Sequence, residues 1–157
     1  MTDVLKPYTA PADARQVLIA TERWLERAVI GLNFCPFAKS VFVKKQVRYA
    51  LTAAVDANEL LPELEHELNL PVATDPAELD TNLLIHPQAM ADFLDYHFFL
   101  ADTDGLLKNL GYEGVFQIAS LHPQYEFASS DPADTFERNI KTMVKLAHEG
   151  WRKLWLV

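Results

Sequence analysis

The chain has one cysteine in 157 residues. No internal disulfide can brace it, so its stability has to come from a packed core, and a reducing cytoplasmic setting is the expectation. Long apolar runs are missing: no stretch approaches the roughly 20 residues of a membrane helix, and Met1–Pro7 has no signal-like apolar segment. Basic residues are scarce, 14 Lys and Arg against 22 Asp and Glu, for a net charge of −8. Broad nucleic-acid binding is therefore excluded, because phosphate contacts need clustered cations. Neither a P-loop, a dinucleotide glycine fingerprint nor a Gly-x-Ser-x-Gly elbow is present.

Core material is plentiful. Half of the residues are apolar and 11% aromatic, enough for one domain over residues 1–157. Charge is unevenly spread. Residues 1–48 hold 8 basic and 4 acidic side chains (+4), leaving 6 and 18 (−12) for residues 49–157. Lys39, Lys44, Lys45 and Arg48 lie just downstream of Cys35. They read either as a solvated surface or as a local field that attracts a small anion and favours a thiolate.

Residues 1–12 read as a loose arm. The spacing of Val17, Leu18, Thr21, Trp24, Leu25, Ala28, Val29 and Leu32 predicts a helix over 14–31, closed by Gly31. Gln46–Ala54 reads as a strand. Asp56 with Glu59 has capping-box spacing before Leu60, Leu61, Leu64 and Leu68, and Pro62 moves the expected helix start toward Asn58. Asn69–Asp80 reads as a loop and Thr81–His86 as a buried strand. Gln88–Leu110 reads as a helix with Met90, Phe93, Leu94, His97, Ala101 and Leu107 on one stripe and a break or kink at Asp104-Gly105. Val115–Leu121 is a third strand. Asp134 and Glu137 precede a last helix through Ile140, Met143 and Val144, and the tail 150–157 is an edge strand, a docking tail or simply the chain end.

The order α-β-α-β-α-β-α defines an α/β sandwich with a largely parallel sheet of three or four strands. Ligands of such sheets sit beyond the carboxyl ends of the strands. His86 and His122 each end an apolar run and precede a proline. If their strands are parallel neighbours, both imidazoles lie at that edge within several ångströms of each other.

The blocks Gly31-Leu32-Asn33-Phe34-Cys35-Pro36-Phe37-Ala38-Lys39, Thr81-Asn82-Leu83-Leu84-Ile85-His86-Pro87, Asp92-Phe93-Leu94-Asp95-Tyr96 and Gln117-Ile118-Ala119-Ser120-Leu121-His122-Pro123-Gln124-Tyr125-Glu126-Phe127 resemble a bacterial family, domain of unknown function 1415. The resemblance runs over about residues 15–149. It implies that Cys35, His86, His122 and Tyr125 sit in the family's recurring motifs. One block departs: where the family has Asn-Arg-Ser-Pro-Tyr-Pro, this chain has Glu137-Arg138-Asn139-Ile140-Lys141-Thr142, and only Arg138 fits.

Three chemistries remain open. Cys35, His86 and His122 together suit a zinc-like divalent metal, with Glu126 or water in the fourth position. Cys35 is alternatively a nucleophile with His122 or His86 as its base and Asp95 as orienter. Lys39, Tyr125 and Arg138 are then the candidates for holding a small anionic substrate. In the third reading Cys35 is a small buried hydrophobe and both His-Pro pairs are strand terminators, leaving a non-catalytic binding or interaction module. His66, His97 and His148 read as surface or packing residues. The expectation is thus a small-molecule enzyme or metal-binding protein with a Cys/His/His site at the carboxyl edge of the sheet, with no nucleic-acid or membrane partner.

Overall fold

Apolar periodicity and proline placement account for most of the architecture. The computed structural model describes residues 11–33, 35–120 and 152–156. Helix α1 (Pro11–Trp24) runs into a π-helical turn, Leu25–Ile30. A short helix α2 (Ala38–Val43) precedes strand β1 (Val47–Leu51). Then come α3 (Ala57–Ala73), β2 (Thr81–Ile85), α4 (Phe93–Leu110), β3 (Phe116–Ser120) and β4 (Arg152–Leu156). All strands are parallel, in the order β1-β2-β4-β3. This is an α/β fold, as the alternation of elements in the sequence implied.

Side-chain alternation along the strands gives each sheet face its own core. Leu83 and Ile85 of β2 pack with Leu25, Val29, Cys35 and Ala38 from the α1–α2 layer. Leu84, between them, packs with Leu60, Leu64 and Leu68 of α3 and with Tyr96 and Phe99 of α4. β2 is buried at every position, as expected of a strand covered on both faces.

Helix α3 starts where its capping box directs. Asp56 accepts from the Glu59 N–H (3.0 Å), and the Glu59 carboxylate accepts in return from the Val55 N–H (3.0 Å). The helix passes through Pro62 and reaches Ala73, so the first five residues of the segment that reads as a loop from sequence are helical. Pro71 has no N–H to give the carbonyl four residues back, that of Glu67. Asn82 of β2 supplies the missing donor, its Nδ2 lying 2.8 Å from that carbonyl oxygen. A proline inside the last turn is therefore tolerated because a neighbouring strand caps the orphaned acceptor.

Helix α4 is capped by Asp92, which accepts from the Leu94 and Asp95 N–H groups, and it ends at Gly111, whose φ of 71° is the left-handed conformation glycine favours. It begins five residues later than the sequence reading and runs without a break through Asp104-Gly105. Its buried face is Tyr96, Phe99, Thr103 and Leu107, whereas Leu94, His97 and Ala101 face outward. Apolar residues occur all round its first two turns, so periodicity alone could not choose the face. The chain-terminal segment gives the other correction: β4 is an interior strand between β2 and β3 and not an edge. Among the described residues, no helix is long and apolar enough to cross a membrane. The last helix expected over 134–149 lies outside the described residues.

Candidate functional site

The candidate residues divide between the two faces of the sheet. Cys35 follows the π-helical turn, where its N–H donates to the Val29 carbonyl (3.4 Å). It is 4% exposed and lines a cavity of about 20 Å³ with Leu25, Ala38, Val47, Thr81 and Leu83. That is room for about one water and for no substrate. Asp80 and Thr81 mark this cavity as lying toward the amino end of β2. Lys39, Lys44 and Lys45 are exposed on and after α2.

Arg48 leaves this basic segment for the other face. Its Nε and Nη2 donate to Oε2 and Oε1 of Glu67 at 2.8 and 3.0 Å. Glu67 is 4% exposed, and Asn82 Nδ2 also reaches its Oε2 at 3.2 Å. Arg48 and Asn82 are register partners on adjacent strands, so one row of the sheet clamps one carboxylate. The fork onto Glu67 raises the Arg48 pKa further above its ordinary value. Sequence reading missed this network. Its one signal was Glu67 on the apolar side of α3 beside Leu64 and Leu68.

His86 follows β2 at its carboxyl end, on the face of α3 and α4. It is 7% exposed, and its ring stacks on Tyr96 at 6.1 Å between centroids, 20° from parallel. Nδ1 lies 3.0 Å from the Ala89 carbonyl oxygen. A carbonyl can only accept, so Nδ1 carries a proton and donates it to Ala89. The turn that presents Ala89 includes Met90 with a φ of 59°, a conformation that costs a non-glycine residue roughly 1–2 kcal/mol.

Cys35 and His86 therefore do not share a pocket. Thr81, beside Cys35, and His86 are five residues apart on an extended strand, roughly 16 Å at about 3.3 Å per residue, and the two candidates occupy opposite layers. Lys39 stays with the Cys35 layer. The two histidine strands are also not neighbours, because β4 separates them, putting roughly 10 Å between their axes. Their register is nevertheless matched. Leu84 and Ser120 both pair with Leu156, and each stands two residues before its histidine. His122, Tyr125, Glu126 and Arg138 lie outside the described residues. Among the described residues, no three His, Cys, Asp or Glu side chains are grouped to hold a metal.

Fold and site together define a parallel α/β protein with a buried strand-end histidine oriented by a backbone carbonyl. The chain belongs to the DUF1415 family of proteins of unknown function, whose profile matches residues 16–137. Neither a curated protein nor a solved structure matches the chain.

Proposed function

We propose that this chain is a metal-dependent small-molecule enzyme with its centre at the carboxyl edge of the sheet, built on His86 and His122. The carrying observation is the common ladder row: each histidine stands two residues beyond a residue paired with Leu156. Each is followed by proline, which biases the backbone before it toward extended conformations. The Ala89 carbonyl accepts from Nδ1 of His86 and so orients the ring, the backbone-carbonyl support typical of metal-binding imidazoles. Glu126, four residues beyond His122, supplies a carboxylate for the same centre. A borderline-soft divalent ion there would contribute Lewis-acid chemistry. Tyr125 and Arg138 are the groups proposed to hold an anionic substrate, and Cys35 is structural.

Elemental analysis of untagged protein, equilibrated with zinc and then desalted, tests this. About one equivalent is expected in the native chain and in Cys35→Ser, and a loss in His86→Ala and His122→Ala. A metal-free native chain overturns the proposal, as does full retention in either histidine variant.

A further inference from the structure

Two surface patches carry exposed apolar side chains bracketed by charges of one sign. On α2, Val43 is 69% exposed; Lys39 stands one turn before it, and Lys44 follows it. On α4, Phe98 is 68% exposed and lies between Asp95 and Asp102. That stretch of α4 forms one wall of an open groove of about 340 Å³, and Val55 and Asp56 at the start of α3 form the other. Isolated exposed apolar residues are ordinary. Phe98 shares its groove with exposed Val55, Val43 stands alone on α2, and the flanking charges are opposite in the two places. The aspartates are about 10 Å apart along their helix and the lysines about 7 Å, at 1.5 Å per residue. Among the described residues, none of these charges enters an ion pair.

A single molecule cannot bring the patches together. Helix α2 lies on the Cys35 face toward the amino edge of the sheet, and the groove opens on the opposite face, beside the carboxyl ends of β1 and β2. We infer that the occupant of the groove is a second copy of this chain: α2 of one molecule seats between α3 and α4 of the next. Val43 meets Phe98, with Lys39 and Lys44 over Asp95 and Asp102. Because the two surfaces differ, the contact is heterologous and each partner keeps a free half, so assembly continues beyond the dimer. Its small size makes it weak, and its exposed charges make it salt-sensitive.

Sedimentation velocity on the full chain tests this at up to roughly 0.5 mM protein, where a contact with a Kd of some hundreds of micromolar is well populated. The mean mass should rise with concentration past that of a dimer in roughly 20 mM salt, and association should weaken about tenfold or more in roughly 500 mM salt. Two triple variants separate the halves: Lys39→Ser/Val43→Ser/Lys44→Ser removes the knob, and Asp95→Asn/Phe98→Ser/Asp102→Asn removes the groove. All six side chains are exposed, and circular dichroism confirms that each variant is folded. Each alone should be monomeric, and an equimolar mixture should give a one-to-one pair that grows no further. A monomeric native chain, a variant that associates alone like the native chain, or a mixture that stays monomeric overturns the inference. The metal measurement on His86→Ala bears on none of these outcomes.

Discussion

The two faces of the sheet are built on different principles. The α1–α2 face is an apolar seal: Leu25, Val29, Ala38, Leu83 and Ile85 close around Cys35 and leave almost no space. The α3–α4 face carries an equally buried leucine core, but polar work is set into it: the Arg48–Glu67–Asn82 clamp, the Asn82 cap on a proline-freed carbonyl, and His86 on its Ala89 acceptor. Both β1–β2 and β2–β3 are connected through this second face, by α3 and α4, so the turns that leave the carboxyl edge of β1 and β2 emerge on it. Of these polar groups, His86 lies where those turns are, and the Arg48–Glu67–Asn82 clamp lies toward the amino ends of the same strands.

The largest expected effects set the faces against each other directly. Leu83 and Leu84 are adjacent and fully buried, but they pack in opposite layers. Each substitution to alanine should cost about 3 kcal/mol in urea unfolding. If the layers are independent, the double variant should equal the sum within about 0.5 kcal/mol. A coupling above about 1 kcal/mol would show that the strand transmits packing between its faces.

Next comes the polar clamp. Asn82→Ala leaves the Glu67 carbonyl without its donor and should cost about 2–3 kcal/mol. In a Pro71→Ala background an N–H returns four residues beyond Glu67, so the same substitution should cost about 1 kcal/mol less. Equal losses in both backgrounds would show that the cap is not what Asn82 contributes.

On the sealed face the effects are smaller. Cys35→Ser puts a hydroxyl into an apolar space of one-water size and should cost about 1–2 kcal/mol. Cys35→Ala should cost about 1 kcal/mol or less. Alkylation of Cys35 in the native chain should be slow and should accelerate only as the chain unfolds. A rapid native reaction would return the thiol to the list of functional groups.

The smallest effect concerns Tyr49, whose hydroxyl is buried without a partner among the described residues. Burial, and secondarily the Glu22 carboxylate, push it up to about 12. The folded pKa exceeds the unfolded value of about 10, so its contribution is fully present below pH 10. It is lost as pH climbs toward 12, because the unfolded chain gives up that proton first. Tyr49→Phe should be near neutral at pH 7 and should flatten the stability decline in that window, measured by urea midpoints. An unchanged slope would show that other groups carry the alkaline loss.

Some of this was written plainly in the residues. Alternation of helical and strand patterns gave the parallel α/β class, and the Asp56–Glu59 spacing gave the start of α3. The solid apolar run Leu83-Leu84-Ile85 gave a strand covered on both faces. These are local signals, each decided by residues within one or two turns of one another. Helix α4 shows where they stop: Phe93, Leu94, Tyr96, Phe98, Phe99 and Leu100 surround the axis, and only contact with α3 and β2 selects Tyr96 and Phe99 for the core. Pro71 shows the same limit, because its tolerance depends on an amide eleven residues away.

What the sequence determined by itself was the kind of element at most positions and the strand-end location of His86, through period, capping chemistry and the proline that follows. The tertiary structure decided which elements are neighbours. It sent the chain's last segment into the middle of the sheet, parted Cys35 from His86 across β2, and kept the two histidine strands in one row with β4 between them. Those outcomes rest on long-range strand pairing and on which face each residue takes. A strand's own sequence states neither its neighbours nor their register; packing against the rest of the chain sets both.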